Sequence, residues 1–397
     1  MIDRQTEPRL PPYVFAEVNR LKDEARAAGQ DIIDFGMGNP DLPPQDFIIE
    51  KLCETAHDPK AHRYSNSSGI KGLKQAQARY YQRRFNVDLD PATEVVATLG
   101  SKEGFATLAR AITRPGDSVL VPTPSYPIHE FGFVLSGAVV KTMPSTPDDN
   151  LFRAAEAAMS GPGNPPVAMV LNYPGNPTAE IAPRAFYEEA VRFARRHDII
   201  LISDLAYAEI YFGDDAPMSI LEIDGARDVA VELTSMSKTF SMPGWRMGFC
   251  VGNAKILAAL ARMKSYLDYG SFTPIQVAAS TALDRSEECA SNLRSVYRKR
   301  RDCLVESFGR AGWALPVPEA SMFAWAPIPE GFGGDSLTFS KTLLQEAGVV
   351  VSPGVGFGAG GEGYVRIALV ENEARTRQAA RQIGAWLTSR GGIAKAS

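Results

Sequence analysis

The chain has 397 residues, of which 45% are apolar and 22% are charged, and its formal net charge at pH 7 is −4. This length predicts two packed domains, and the mildly acidic balance excludes the basic surface that binding to nucleic acid or to an anionic membrane requires. The cysteines, Cys53, Cys250, Cys289 and Cys303, stand singly without a C-x-x-C pair, which indicates free thiols and excludes a disulfide framework or a zinc knuckle.

The N-terminal run MIDRQTEPRLPPYVF contains charges and three prolines where a secretory signal would have an unbroken apolar stretch. Nowhere in the sequence do about 18 apolar residues follow one another, the length that a membrane-spanning helix needs. We therefore expect a cytoplasmic protein that acts on small molecules, with no nucleic-acid or membrane partner.

Between about residues 94 and 251, short β-rich runs alternate with amphipathic stretches. The runs VVATLG, SVLVP, VAMVLNYP, IILISD and VAVELTS read as strands, and KEGFATLARAI and residues 186–196 read as helices between them. This alternation predicts an α/β fold whose large domain contains a mostly parallel sheet flanked by helices.

The C-terminal part has a different pattern. A long charged helix is predicted at residues 286–310, followed by the strand FAWAPI, a helix at 337–346, the strands VVVSP and YVRIALV, and a last helix at 376–388. We expect a smaller α+β domain there, with the N-terminal segment packed on it because both flank the sheet in sequence. The predicted boundaries are 38–285 for the large domain and 1–37 with 286–397 for the small one.

The sharpest local motif is Ser235-Met-Ser237-Lys238, directly after the strand VAVELT, with Arg246 eight residues beyond the lysine. A lysine at a strand end can form a Schiff base with an aldehyde cofactor, while two hydroxyls and a guanidinium can hold a phosphate. From this segment alone an ordinary surface lysine is the favoured interpretation, since most lysines are of that kind.

Two further strand ends carry polar groups. Asp204 closes IILISD, with Tyr207 three residues on; a buried carboxylate there needs a cationic partner such as a protonated pyridine nitrogen, although it could instead cap a following helix. The run NYPGNPT, residues 172–178, forms a rigid turn that would fix the direction of the Asn176 amide, or would serve merely as a turn.

The run GSKEG, residues 100–104, lies between a strand and a helix, where free backbone N–H groups at Ser101 and Lys102 favour a phosphate, and its spacing is not that of a Walker loop. Tyr126, after SVLVP, offers an aromatic face that could stack on a flat ring or belong to the core. The run GFGAGG, residues 356–361, fits G-x-G-x-x-G but precedes a strand, so we interpret it as a loop that moves with substrate. The four histidines have no metal-ligand spacing, and no metal is expected.

The Ser-x-Ser-Lys, Asp-x-x-Tyr and Asn-x-Pro-Gly-Asn-Pro motifs, together with Arg366 in YVRIAL, occur in the order found in the fold-type-I aminotransferases of class I/II. The chain resembles this family over nearly its whole length. The resemblance implies pyridoxal 5'-phosphate as cofactor and transamination between an amino acid and a 2-oxo acid as activity.

The resemblance also implies a role at each matching position. Lys238 would bind the cofactor and shuttle the proton, Asp204 would hold the protonated ring nitrogen, and Tyr207 and Asn176 would donate to the ring oxygen. Tyr126 would stack on the ring, with the phosphate held by Ser101, Lys102, Ser235, Ser237 and Arg246.

The remaining implied roles concern the substrate and a second subunit. Arg366 would grip the substrate carboxylate with a bidentate fork, assisted by Gly38 and Asn176, and Tyr13 would close over the substrate. Tyr64 resembles the tyrosine that reaches the phosphate of the neighbouring subunit, which implies a homodimer with shared active sites.

Five segments, RLPPYVF, DFGMGNPD, SYPIH, SDLAYA and KSYLDYGSFTP, look most like bacterial alanine (glutamate–pyruvate) aminotransferases, and next like LL-diaminopimelate aminotransferases. Ala179 stands where many members have glycine, and no counterpart of the lid arginine of aspartate aminotransferases is visible, which argues against aspartate as donor. We expect alanine and 2-oxoglutarate as substrates. The alternatives are LL-diaminopimelate or another amino acid, and a carbon–sulfur β-lyase. An aminotransferase-like DNA-binding regulator would need a basic helix-turn-helix before the sheet, and none is visible.

Overall fold

The structure, a computed structural model, describes Leu10 and residues 14–390. Its strands, in chain order, are β1 (Ile33–Asp34), β2 (Val95–Thr98), β3 (Ser118–Thr123), β4 (Val139–Pro144), β5 (Pro166–Asn172), β6 (Ile200–Asp204), β7 (Ala230–Ser235), β8 (Gly248–Gly252), β9 (Phe323–Pro327), β10 (Val349–Val350), β11 (Ser352–Pro353) and β12 (Tyr364–Ala368).

The α-helices of the described residues are α1 (Val14–Ala27), α2 (Asp46–Ala56), α3 (Lys71–Phe85), α4 (Ser101–Ile112), α5 (Ile128–Ser136), α6 (Asp149–Ser160), α7 (Arg184–His197), α8 (Ala226–Val229), α9 (Met236–Thr239), α10 (Ala254–Leu267), α11 (Thr273–Asp284), α12 (Ser286–Arg310), α13 (Ser336–Ala347) and α14 (Glu373–Ser389). Short 3-10 helices occur at Pro59–His62, Ile220–Glu222, Pro243–Trp245, Gly354–Phe357 and Ala359–Gly361. No helix within residues 14–390 is long and apolar enough to cross a membrane.

Seven strands form one large sheet in the order β2-β8-β7-β6-β5-β3-β4. From β7 to β4 every neighbouring pair is parallel, whereas β8 runs antiparallel to both β2 and β7. The central strands are almost wholly buried, and β5 and β6 are mainly apolar, as is expected of parallel strands when helices cover both faces of a sheet. The predicted α/β fold with a mostly parallel sheet is therefore confirmed.

Each face of the large sheet has its own core. On one face, side chains of α3 and α7 such as Tyr81 and Phe193 pack with Leu171 of the sheet, and on the other, Phe105 of α4 and Phe133 of α5 pack with Val170, Leu257 and Leu260. Because β5 supplies alternate residues to the two cores, this strand is fixed in register from both sides.

A further core surrounds the antiparallel sheet β11-β12-β9 and the helices α12, α13 and α14. β1 pairs in parallel with β10, and Val18 of α1 packs with Leu344 of α13. The N-terminal segment thus packs on the C-terminal part of the chain, as expected. The boundaries at residues 38 and 286 stay predictions.

The sequence prediction misses three strands and merges two others. β1 has only two residues, β4 lies at the sheet edge with mostly exposed or half-buried residues, and β8 is a short run that begins and ends with glycine, so none of them has a strong strand pattern. The run VVVSP forms β10 and β11 in different sheets, because the chain leaves β1 and joins β12 across Val351.

Candidate active site

A cavity of about 310 Å³ opens at the carboxyl ends of β5, β6 and β7, opposite the sheet β11-β12-β9. This edge of an open α/β sheet is where ligands ordinarily bind. The structure brings most of the predicted site residues into the cavity wall: Gly38, Ser101, Lys102, Tyr126, Asn176, Asp204, Tyr207, Ser235, Ser237, Lys238, Arg246 and Arg366.

Lys238 lies in α9, the single helical turn that follows β7. Its Nζ donates a hydrogen bond of 2.9 Å to the carbonyl oxygen of Gly38. Burial, and then the positive charges of Arg366 and Arg246, lower the pKa of Lys238 to about 8. A lysine with such a pKa is partly a neutral amine near pH 8, which is the form that attacks an aldehyde carbon.

One end of the cavity is built for an anion. Helix α4 begins at Ser101, so its first N–H groups have no partner within the helix and are oriented outward at its start. Arg246 adopts a left-handed backbone with φ 55°, which places its guanidinium against Gly100, where a Cβ would overlap it. A Cβ at Gly248 would approach the nitrogen of Ser101 to 2.7 Å, so the close contact between β8 and α4 requires glycine there.

Asp204, at the end of β6, has a partner that sequence reasoning missed. Its Oδ2 lies 2.9 Å from Nε2 of His129, and Nδ1 of that histidine lies 2.6 Å from the hydroxyl of Ser125. Because an ionised carboxylate only accepts, Nε2 carries the proton and Nδ1 accepts from the serine. Oδ1 of Asp204 accepts from the N–H of Ala206 at 3.2 Å, so the carboxylate also caps a turn, although no helix follows.

Asn172 connects two of the predicted motifs. Its Oδ1 accepts from the N–H of Asn176 at 3.0 Å, and its Nδ2 donates to the carbonyl of Asp204 at 3.0 Å. The rigid turn and the end of β6 are therefore fixed relative to each other. Nearby, burial raises the pKa of the Tyr207 hydroxyl, which keeps it a neutral donor, and its ring meets Phe323 edge to face at 5.5 Å.

The other end of the cavity is occupied by Arg366, on β12. One guanidinium nitrogen donates to Oδ1 of Asn176 at 2.9 Å and the other to the carbonyl of Gly36 at 3.1 Å. The guanidinium carbon lies 4.1 Å from the ring centre of Phe323 and 4.7 Å from that of Phe357. Neither ring was predicted; both lie close to the guanidinium, Phe323 on the neighbouring strand β9 and Phe357 in the 3-10 helix that precedes β12.

Two further features depend on this arrangement. A Cβ on Gly38 would lie 2.7 Å from Cζ of Phe323, so only glycine allows the chain to pass between Lys238 and this ring. The run GFGAGG precedes β12, as expected, and is compact: the N–H of Ser125 donates to the carbonyl of Phe357 at 2.8 Å, and Gly360 donates to Thr123 at 3.1 Å. Its movement with substrate stays a prediction.

Two predicted residues are not in the cavity wall. Tyr64 has 86% of its surface exposed and stacks on Tyr269 at 4.6 Å, outside the cavity of its own chain. Tyr13 lies outside the residues that the structure describes; Phe15, at the start of α1, lines the cavity. Among the described residues no group of three or more His, Cys, Asp or Glu side chains could hold a metal ion.

Comparisons with known proteins agree with this site. The family model described as aminotransferase class I and II matches residues 30–383. The chain is 60% identical over 382 residues to AatC of Rhizobium meliloti (strain 1021), provisionally named an aminotransferase, covering 96% of this chain and 94% of that one. It is 49% identical over 385 residues to the glutamate-pyruvate aminotransferase AlaC of Escherichia coli (strain K12), covering 96% and 93%.

Two more comparisons widen the range of relatives. The LL-diaminopimelate aminotransferase of Syntrophobacter fumaroxidans is 43% identical over 374 residues, covering 94% of this chain and 96% of its own. Among solved structures, substrate-bound BacF from Bacillus subtilis matches with a TM-score of 0.88 and 36% identity, covering 95% of each chain.

A lysine and an arginine on one cavity at the sheet edge are the residues expected of an enzyme that acts on amino acids. The chain belongs to the class I and II aminotransferases, and it is a transferase of that kind. Enzymes of this family use pyridoxal 5'-phosphate. The donor set of the cavity fits that group: Lys238 would offer an amine of lowered pKa to its aldehyde, Asp204 a buried carboxylate to its ring nitrogen, and the start of α4 backbone N–H groups to its phosphate.

Proposed function

We propose that the enzyme binds pyridoxal 5'-phosphate on Lys238 and transfers an amino group from alanine to 2-oxoglutarate, giving pyruvate and glutamate. The observation that carries the transamination is the placement of Lys238 and the Arg366–Asn176 pair on one cavity. Transamination requires a lysine that can bind the cofactor aldehyde and an arginine that can bind the carboxylate of the amino acid.

Each of the cavity residues has a distinct role in the proposed reaction. When bound, the cofactor supplies an aldehyde carbon and a ring that withdraws electrons from the substrate Cα. Lys238 would bind it and then carry a proton from Cα to the cofactor carbon, Asp204 would keep a proton on the ring nitrogen, and Tyr207 would donate to the ring oxygen. Arg366 would hold the substrate carboxylate and so direct the Cα–H bond toward Lys238.

Alanine as donor is supported by similarity. The chain is 49% identical to a glutamate-pyruvate aminotransferase. The exposed side chain of Lys102 also lines the cavity and offers a cation to the second carboxylate of 2-oxoglutarate. The 43% identity to an LL-diaminopimelate aminotransferase makes that substrate the second candidate.

The working unit that we propose is a cytoplasmic homodimer with shared active sites. Large apolar side chains are exposed in two neighbouring segments of the chain, namely Tyr64, Tyr266, Leu267, Tyr269 and Phe272, which we call the aromatic patch. Exposed apolar side chains that cluster in this way support a protein interface, and a second copy covering the patch would bring Tyr64 toward a neighbouring cavity.

The test is the visible absorption spectrum of the purified protein with pyridoxal phosphate. We expect a band from the lysine-bound cofactor that L-alanine alone removes and that 2-oxoglutarate restores. Lys238→Ala is the control, and it should lack the band while still taking up pyridoxamine phosphate. Loss of the band only with LL-diaminopimelate would replace the substrate, and release of pyruvate and ammonia without an oxo acid would indicate a β-lyase. A wild-type protein with no band contradicts the proposal.

A further inference from the structure

Lys264, on α10, is fully buried, with 0% of its side chain exposed. Lysine is almost never buried so completely unless it is paired, and a buried ion pair is no more stabilising than apolar residues of similar volume. The Nζ atom lies 2.8 Å from Oδ2 of Asp268 and 3.7 Å from Oε2 of Glu103. Since Lys264 does not line the active-site cavity, we ask what its charge does through these two carboxylates.

Glu103 lies in the first turn of α4, two residues after Ser101. Its Oε2 accepts from the N–H of Leu99 at 2.9 Å and its Oε1 from the hydroxyl of Thr107 at 2.7 Å. The carboxylate therefore holds the bend through which β2 enters α4. The same position has an electrostatic disadvantage, because a negative charge at a helix start repels the phosphate that the start is placed to bind.

Asp268 fixes the other side of the ammonium group. Its Oδ1 accepts from the N–H of Gly270 at 2.7 Å, and the left-handed φ of +77° at Gly270 brings that turn against the backbone of Asn66. Tyr269, which lies between Asp268 and Gly270 in the chain, belongs to the aromatic patch. Lys264 thus connects the patch to the helix that opens the anion-binding end of the cavity.

We propose that Lys264 is a positioning residue for the cofactor phosphate. It compensates the charge of Glu103, so that this carboxylate can fix the start of α4 without repelling the phosphate bound there. The inference rests on the proposed binding of pyridoxal 5'-phosphate and adds to it a residue that touches neither cofactor nor substrate.

The experiment compares ligands with and without phosphate. Dissociation constants of pyridoxamine 5'-phosphate and of pyridoxamine are measured on apoprotein by fluorescence titration, for the wild type and for Lys264→Met. We expect Lys264→Met to weaken binding of the phosphorylated form by about tenfold or more and to leave pyridoxamine within about twofold, since a charge that lost its partner acts on the phosphate alone. Lys255→Met, an exposed lysine on the same helix, is the matched control and should change neither.

A second variant separates charge from structure. In Lys264→Met with Glu103→Gln, the charge of Glu103 at the start of α4 is gone while an oxygen remains for the N–H of Leu99. Asp268 stays ionisable in both variants, but it lies on the far side of Lys264 and keeps the N–H of Gly270, so affinity for the phosphorylated form should return to within about threefold of the wild type. Equal weakening of both ligands, or no recovery in the double variant, would overturn the proposal.

If Lys264→Met does not fold, the single variant Glu103→Gln still tests the proposal. We expect it to bind the phosphorylated ligand at least as tightly as the wild type, and a loss greater than about threefold contradicts the inference. A wild type that binds no pyridoxamine 5'-phosphate contradicts the proposed function instead. A wild type that binds it, with Lys264→Met binding equally well, contradicts only the role of Lys264.

Discussion

Lys238 lines the same cavity as Arg246 and Arg366, and of these three cationic side chains only the lysine can release its proton at an ordinary pH. An arginine keeps its charge at any ordinary pH, so the field of both guanidinium groups, added to burial, favours the neutral form of the lysine. The residues proposed to bind phosphate and carboxylate would thus also activate the residue proposed to bind the aldehyde.

This coupling gives a pH dependence. The pKa of Lys238 falls from 10.5 to about 8, so between these values the unfolded chain binds more protons than the folded one, and this group makes folding more favourable as the pH rises through that window. The rate at which apoprotein forms the cofactor band should rise with an apparent pKa of about 8. Stopped-flow absorbance at several pH values checks this, and in Arg366→Leu the midpoint should move upward.

The fork of Arg366 should matter for both binding and rate. Arg366→Lys keeps the charge but cannot make two parallel bonds while donating to Asn176 and Gly36, so we expect KM to rise and kcat to fall, with kcat/KM lower by at least about tenfold. Steady-state kinetics with alanine measure both constants. Unchanged kinetics would show that the carboxylate binds elsewhere, and Arg375→Lys, on an exposed ion pair, serves as control.

At the scale of elements, each chemical group stands where a strand ends or a helix begins. Asp204 ends β6, Ser235 ends β7 and Ser101 begins α4. Such positions are visible in sequence because turn residues and a change of periodicity surround them, which is why the motifs could be found. The α/β fold was predictable for the same reason.

Contacts between elements that are distant in the chain could not be predicted from the sequence. His129 lies 75 positions from Asp204, and Phe323 and Phe357 flank Arg366 only because β9, β12 and the loop before β12 fold together. In sequence they resemble ordinary core residues. Similarly, β8 joins the sheet through pairing with β2 and β7 and not through its own pattern.

Helix α5 supplies a support whose loss can be measured. His129→Leu would remove the donor that faces the buried carboxylate of Asp204, and we expect the free energy of unfolding to fall by about 1–3 kcal/mol and kcat to fall with it. Urea denaturation followed by circular dichroism measures the first quantity. Ser125→Ala, which removes only the outer hydroxyl, should cost less; equal stability of His129→Leu and wild type would contradict this role.

On the scale of the whole molecule, the cavity depends on elements of both sheets. Arg366 belongs to the sheet β11-β12-β9, Lys238 follows the large sheet, and the carbonyls of Gly36 and Gly38 connect them. The two sheets must therefore keep their relative position for the site to exist. Tyr64 does not line this cavity, so its predicted role would require a second subunit.

Mixed dimers test the sharing of sites. If Tyr64 serves the neighbouring cavity, a dimer of one Lys238→Ala and one Tyr64→Ala subunit has one cavity with both defects and one with none, so it should regain about half of the wild-type activity. Co-expression with two affinity tags isolates such dimers, and each parent variant is the control. A mixed dimer no more active than its parents would place Tyr64 at its own chain's site, or at none.

The order of the site along the chain has a consequence for biosynthesis. The predicted cofactor contacts end at Arg246, whereas Arg366 comes more than a hundred positions later. During synthesis, Lys238 and the predicted phosphate-binding residues are therefore added to the chain well before Arg366. A chain that ends between them would contain the predicted cofactor-binding residues without the arginine that is predicted to select the substrate.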